Sequence, residues 1–293
     1  MAVEPLSYAV VTPARNEADN LRRLAGSLTS QTQRPSTWLI VDNGSSDDTP
    51  EVARDLAAAQ DWIRAADVPG ETVATRGGPV ARAFAAGVEL LPEQPDVVIK
   101  VDADISVEPD YFERLLGRFA ADPRLGIAGG ACYELEEGEW VPRHTTGDRV
   151  RGASRAYRWA CFQDVLPLEN RPGWDGIDEL KATARGWKTQ TFADLAFRHH
   201  RAVGDRDQSR WRRLYEVGRA AHFTGYRPSY LVLRSLFKAR KELAALALIG
   251  GYAAAAARRE PRSDDDAARS YLRRQQSLRR LPVRAREALG RRT

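Results

Sequence analysis

Over the first hundred positions, short runs of apolar residues alternate with amphipathic stretches. Residues 8–11 (Tyr-Ala-Val-Val), 38–41 (Trp-Leu-Ile-Val) and 97–101 (Val-Val-Ile-Lys-Val) each end at polar or turn-forming residues. Such runs predict strands buried on both faces. Between the first two, Leu21, Leu24 and Leu28 share one helical face, and Asn16 is placed to cap that helix. Thr49 is predicted to cap a second helix, with Pro50 at its first position and Val52 and Leu56 turned inward. Gly77-Gly78-Pro79 breaks the chain before a third helix over residues 80–91.

This order predicts an α/β fold with a mostly parallel sheet covered by helices. Ligands of such sheets bind beyond the carboxyl ends of the strands. Three strands end in polar clusters: Pro13-Ala14-Arg15-Asn16-Glu17, Asp42-Asn43-Gly44-Ser45 and Asp102-Ala103-Asp104. All three should face one crevice. In the second half the pattern is mixed. Residues 125–133 are predicted as a strand with a bulge at Gly129-Gly130, residues 151–162 as a helix, and residues 189–197 as a strand leading to His199-His200. Beyond Arg206 the chain reads as helix and linker. Residues 1–205 are therefore expected to form one catalytic-type domain, and residues 206–293 a helical C-terminal extension.

Composition changes the picture only at the end of the chain. Of 293 residues, 43% are hydrophobic, an ordinary globular value. The net charge is +5, yet residues 258–293 carry 12 Arg against 5 acidic residues, so the rest is near −2. Such a basic tail suits an anionic surface, although 40 Arg against 5 Lys also signals a coding preference. Nucleic-acid binding is not expected, because aromatic residues are not interleaved with these arginines apart from Tyr271. Cys132 and Cys161 have neither metal-ligand spacing nor disulfide density, which predicts reduced thiols in a cytoplasmic setting. No leader-like start and no run of 18 apolar residues is found. Residues 234–259 read as a basic-flanked amphipathic helix, suited either to packing on the catalytic domain or to peripheral contact at the inner face of a cell membrane.

Two carboxylates at Asp102 and Asp104, just after a buried strand, can meet one hard cation if the backbone bends there. A cation so held would share oxygens with a substrate diphosphate and act as a Lewis acid on it. The ordered set Pro13-Ala14-Arg15-Asn16-Glu17, Val41-Asp42-Asn43-Gly44-Ser45-Ser46-Asp47-Asp48-Thr49 and Val101-Asp102-Ala103-Asp104 resembles the opening half of family 2 glycosyltransferases. The family patterns are P-x-x-N-E, V-D-D-G-S-x-D-x-T and D-x-D, and Asn43 stands where a second Asp is usual.

The resemblance extends over about residues 7–201 and implies the GT-A fold, inversion at the anomeric carbon and a Mn2+ or Mg2+ cofactor. It implies a nucleotide-sugar donor, a lipid-linked or saccharide acceptor, and a place in bacterial cell-surface polysaccharide or glycolipid synthesis. By the same resemblance Pro13, Asn16 and Glu17 line the nucleotide pocket, Asp42 bonds the base edge, and Gly44 keeps the backbone close. Arg76 and Arg82 fall where donor-side residues lie, Asp102 sits near the ribose or metal, and Asp104 is the direct metal ligand.

Inversion needs a base for the acceptor hydroxyl. The segment Gly173-Trp174-Asp175-Gly176-Ile177-Asp178-Glu179-Leu180 resembles the family's E-D-x-D-L, with Trp174 in place of Glu. Asp175 fits by its spacing to Gly186, and Asp178 with Glu179 is the alternative. Trp174 is either a sugar-stacking or a core aromatic. In the family a His near His199-His200 completes the metal site. Adjacent strand residues face opposite sides, so one of the pair enters, and His200 is taken as that one. Two other readings remain open: a sugar nucleotidyltransferase, whose Gly-rich triphosphate loop does not follow the first strand here, and a non-catalytic nucleotide-sugar binder, which sits poorly with the intact carboxylates.

Overall fold

The structure, a computed structural model, describes residues 5–68, 78–143, 149–171, 173–200 and 210–277. Arg76, Gly77 and the arginines beyond residue 277 lie outside the described residues. The chain divides into two compact units, Met1–Asp205 and Arg206–Thr293.

In the first unit the elements run β1 (Tyr8–Ala14), α1 (Ala18–Thr29), β2 (Thr37–Asp42), α2 (Thr49–Ala59), β3 (Ile63–Asp67), α3 (Gly78–Glu89) and β4 (Val97–Val101). They continue with β5 (Ile105–Val107), α4 (Tyr111–Ala121), β6 (Leu125–Glu136), β7 (Glu139–Pro142), β8 (Ser154–Arg158), α5 (Trp159–Val165), α6 (Trp174–Ala184) and β9 (Lys188–His199). Among the described residues these strands form one sheet in the order β3-β2-β1-β4-β8-β6-β9-β5, with β7 on β6. The β3-β2-β1-β4 half is parallel, as the alternating elements predict. Beyond it β8 runs antiparallel between β4 and β6, while β6 and β9 are parallel.

Alternation along the central strands builds two cores. Val10, Ile40 and Ile99 face Leu21, Leu24, Leu28, Phe112 and Phe119 on one side. Their neighbours Val11, Leu39 and Val98 face Phe84, Tyr157 and Phe162 on the other. Both faces are covered, so these strands are uniformly apolar rather than alternating. Gly87 lets α3 lie close to the sheet: a Cβ there would come within 2.6–2.7 Å of Val11 and Val41.

Three local expectations are corrected. Residues 154–158 are strand, not helix, because the segment pairs with β4 along its length and Ala156 and Tyr157 pair with β6 as well, and tertiary pairing overrides helix propensity. Asn16 does not cap α1: it adopts a left-handed backbone (φ 56°), and its Oδ1 accepts the Ser46 N–H at 2.8 Å. Thr49 opens α2 rather than capping it, and its hydroxyl accepts the Glu17 N–H at 2.8 Å and donates to Asp47 at 2.6 Å. The irregularity expected at Gly129-Gly130 is present as a register shift after Gly130, but the extra residues belong to β9.

The second unit contains α7 (Arg210–Phe223), α8 (Pro228–Ala239), a 3₁₀ turn (Leu243–Leu246), α9 (Ala247–Ala257) and α10 (Asp266–Gln275). Ala221, Leu231 and Leu248 form its small core. The single helix expected over residues 234–259 is broken after Ala239, where the backbone leaves α8 and re-forms as the 3₁₀ turn. Among the described residues no helix is long and apolar enough to cross a membrane.

Candidate active site

The carboxyl ends of β1, β2 and β4 open onto a cavity of about 370 Å³. Pro13, Ala14, Arg15 and Glu17 line it after β1, Asn43 after β2, and Asp102, Ala103 and Asp104 after β4. The opposite wall carries Cys132 of β6, Gly152 and Ala153 ahead of β8, Asp175 of α6 and His199 of β9. The crevice predicted from three strand ends therefore exists, and the later segments close it.

The first two motifs are wired together. Asp42 Oδ2 accepts the Gly44 and Ser45 N–H groups, each at 3.1 Å, and the Ser45 hydroxyl binds Asp42 Oδ1. Ser45 Oγ also accepts the Asn16 N–H at 3.0 Å. Gly44 turns with φ 72°, a conformation that suits glycine. Asp42, Gly44 and Asn16 thus brace the rim, while Pro13 and Glu17 form its surface. Glu17 Oε2 accepts from Asn20 Nδ2 at 2.6 Å. Arg82 is exposed on α3 and does not line the cavity, whereas Val80 of the same helix does.

The Asp102-Ala103-Asp104 turn is strapped on both sides. Asp102 N–H donates to the Ala153 carbonyl at 2.8 Å, and His200 N–H donates to the Asp104 carbonyl at 2.7 Å. Lys100 is buried in β4; it pairs with Asp102 Oδ1 and donates to the Gly152 carbonyl at 2.8 Å. Burial holds the Asp102 carboxyl above the ordinary range, with the Asp104 charge adding to this and Lys100 opposing it. A divalent cation beside the pair would restore the ionised form.

His199, rather than His200, reaches the acidic pair. His199 Nε2 lies 3.1 Å from Asp104 Oδ2, and its Nδ1 lies 3.6 Å from Glu134 Oε1. Register explains the choice: His199 pairs with Ile105 on one side and Glu134 on the other, and β9 turns alternate residues apart. His200 instead bonds Ser106 Oγ through Nε2 at 2.7 Å, and its ring meets Trp140 edge-on. Burial works against the His199 charge, but the hydrogen bond and charge of Asp104, with Asp102 and Glu134, raise its pKa. For His200, burial and nearby Arg23 lower it.

The structure separates the two candidate bases. Asp175, in the first turn of α6, is half-buried on the cavity wall, and its Oδ1 accepts the Gly176 N–H at 3.0 Å. Its Oδ2 lies close to Gly152, whose carbonyl holds Lys100. Asp178, one helical turn on, is buried away from the cavity lining. There Arg155 donates to Asp178 Oδ1 at 2.5 Å, and the Tyr157 hydroxyl donates to Oδ2. Burial pushes Asp178 up to about 7 against the pull of Arg155. Glu179 accepts from Val150 N–H at 2.7 Å and Arg155 Nη1 at 3.1 Å. Trp174 is a core aromatic of the same helix.

Four polar residues of this neighbourhood escape the sequence reading: Lys100, Arg155, Cys132 and Glu134. A lysine inside an apolar strand was the available signal for Lys100. Cys132 and Glu134 are two apart on one strand and so share a face, but only the pairing of β6 with β9 sets His199 beside them.

The profile of the family described as Glycosyl transferase family 2 matches residues 9–165. The chain belongs to that family. An N-acetylglucosaminyl-diphospho-decaprenol L-rhamnosyltransferase of Mycobacterium tuberculosis is 31% identical over 181 residues, 56% of this chain and 57% of that one. Matches to the curated relatives span 18–57% of their lengths. Among solved structures, the mannosyltransferase PcManGT of Pyrobaculum calidifontis, in complex with GDP-Man and Mn2+, has a TM-score of 0.57 at 17% identity, covering 97% of this chain and 83% of that one. S. aureus TarS 1-349 in complex with UDP-GlcNAc has a TM-score of 0.56 at 16% identity, covering 74% and 66%. The fold is the GT-A fold of these glycosyltransferases.

Proposed function

We propose that this chain is an inverting glycosyltransferase that moves a sugar from a nucleoside-diphosphate donor to a lipid-linked saccharide. The observation that carries the reading is that the strand-end motifs of β1, β2 and β4 meet Asp175 in one and the same cavity. The donor set suits a divalent cation: the Asp104 carboxylate and an imidazole nitrogen lie 3.1 Å apart, with Asp102 two residues away. Asp104, His199 Nε2 and Asp102 would hold Mn2+ or Mg2+, which when bound supplies a Lewis acid for the departing diphosphate.

The chain's own residues do the rest. Pro13, Glu17 and Asn43 form the wall for the nucleotide, and the Asn16–Asp42 brace fixes that wall in place. Lys100 keeps Asp102 pointed at the turn. Asp175 takes the proton of the acceptor hydroxyl as its oxygen attacks the anomeric carbon. Asp178 and Glu179 serve α6 as partners of Arg155 rather than as bases.

Asp104→Ala is expected to abolish transfer and to remove the manganese-dependent rise in melting temperature produced by nucleoside diphosphates. That rise follows from mass action, because a ligand of the native state alone stabilises it. Full transfer by Asp104→Ala, with an unchanged thermal shift, would overturn the metal assignment.

The acceptor class draws support from the relative named for a diphospho-decaprenol substrate. In the second unit Val232, Leu233, Leu236 and Phe237 of α8 are exposed, as are Leu243 and Leu246. Arg234, Lys238, Arg240 and Lys241 lie among them. This is the chemistry of a helix seated in an anionic lipid interface. The protein is expected to co-sediment with vesicles containing phosphatidylglycerol and to release as salt rises, while a Leu236→Glu/Phe237→Glu variant stays in the supernatant. Equal sedimentation of the wild type and that variant would remove α8 from the membrane contact.

A further inference from the structure

We propose that Cys132, Glu134 and His199 form a second cation site, selective for a thiophilic ion such as Zn2+, whose filling excludes the catalytic cation. One ligand atom from each of these residues lies within 4.8 Å of the other two. Cys132 and Glu134 project from the same face of β6, and parallel pairing sets His199 directly beside Glu134. Tetrahedral zinc with sulfur, nitrogen and oxygen ligands keeps its donor atoms about 3.3–3.7 Å apart. The His199 Nδ1 to Glu134 Oε1 separation, 3.6 Å, already has that value. Closing the remaining gaps needs a shift of about 1 Å.

The surroundings fit the role. A metal-bound histidine usually donates its other N–H to a carboxylate. Here His199 Nε2 lies 3.1 Å from Asp104 Oδ2. In that tautomer the Nδ1 lone pair faces the Glu134 carboxylate, so a proton or a cation can bridge the two. A zinc ion there would also be matched by two anions, the Cys132 thiolate and Glu134. Arg143 Nε holds Glu134 Oε2 at 2.6 Å, which orients the carboxylate and leaves Oε1 toward His199. Thiolate favours zinc over manganese and magnesium, which prefer oxygen.

The two sites compete for one ring. A neutral imidazole has a single lone pair. On Nε2 it serves the cation at Asp104, and on Nδ1 it serves the cation at Cys132. Zinc is therefore an antagonist of manganese at this centre; this consequence rests on the transferase reading, whereas the site itself does not.

Cobalt(II) added to the full-length chain without donor is the probe, since a thiolate ligand gives an intense near-ultraviolet charge-transfer band. The wild type and Cys161→Ser should show the band, zinc should erase it, and Cys132→Ser should lack it. Zinc K-edge absorption on the wild type, which needs no variant, should show one sulfur neighbour at about 2.3 Å. A zinc shell of nitrogen and oxygen alone, or a cobalt band that survives in Cys132→Ser, would overturn the site. A sulfur-ligated zinc in a chain with no transfer activity would keep the site and reject the transferase reading. Manganese-dependent transfer with no sulfur in the zinc shell would do the reverse.

Discussion

Asp175→Asn is expected to lower kcat by about 10²–10⁴-fold, the usual contribution of a positioned general base, while donor affinity stays near that of the wild type. The amide is close to isosteric, and its oxygen can still accept the Gly176 N–H that Asp175 Oδ1 takes at 3.0 Å. What it cannot do is take a proton from the acceptor. Pre-steady-state transfer and donor binding by calorimetry separate the two effects, because a residue acting only in the transition state changes rate without changing ground-state binding. Asp178→Asn gives the contrast. Both Asp178 oxygens are engaged by Arg155 and Tyr157 in the interior, so its substitution should lower stability and leave the chemistry of folded molecules largely intact. If Asp178→Asn removed the chemical step and Asp175→Asn did not, the base would have to be reassigned and the cavity redrawn.

The contrast between these two aspartates marks where sequence reasoning stops. Strand ends at Pro13, Asp42 and Asp102 were legible because a buried parallel strand is a run of apolar residues with a polar stop, a one-dimensional signal. Their convergence followed from sheet topology. Which of Asp175 and Asp178 faces the cavity was not legible, since both sit in one short segment of similar chemistry, and only the interior position of Arg155 tells them apart. That position was hidden because residues 154–158 read as helix. Ser-Arg-Ala-Tyr-Arg has no strand pattern of its own, and its neighbours β4 and β6 impose one. His200 was taken over His199 for a related reason. Alternation says that one of two adjacent histidines enters, but the strand's register across β5 and β6 says which. Cys132 and Glu134 belong with it, since no spacing along the chain brings them to residue 199. Composition spoke only of the tail, much of which lies outside the described residues.

Arg155→Met should destabilise the protein by about 3–5 kcal/mol, the cost of leaving a buried charge without its partner. The guanidinium is fully buried, and each of its five N–H groups has an acceptor. Nε donates to the Tyr157 hydroxyl at 2.8 Å, Nη1 to Val150 carbonyl at 2.6 Å and Glu179 at 3.1 Å, and Nη2 to Asp175 carbonyl at 2.8 Å and Asp178 at 2.5 Å. Removing it strands two carboxylates among Tyr157, Cys161 and the apolar side of α6. Lysine should not rescue, because it offers three donors from a point rather than five from a plane. The loss also has a predictable pH dependence. Burial already raises Asp178 to about 7 and raises Glu179, and without Arg155 both should rise further. A carboxyl whose folded pKa exceeds its unfolded one makes the native state bind more protons, so stability falls as pH rises between those two values. Arg155→Met should therefore recover part of its loss near pH 5 and be weakest above pH 8 in urea denaturation. Replacing the whole cluster, Arg155→Met with Asp178→Leu and Glu179→Leu, should restore much of the stability, since the penalty lies in the orphaned charges. The same triple variant should still transfer sugar poorly, because the Arg155 bond to the Asp175 carbonyl sets the first turn of α6. A single variant within about 1 kcal/mol of wild type at neutral pH would show that water reaches the cluster and that Arg155 positions nothing.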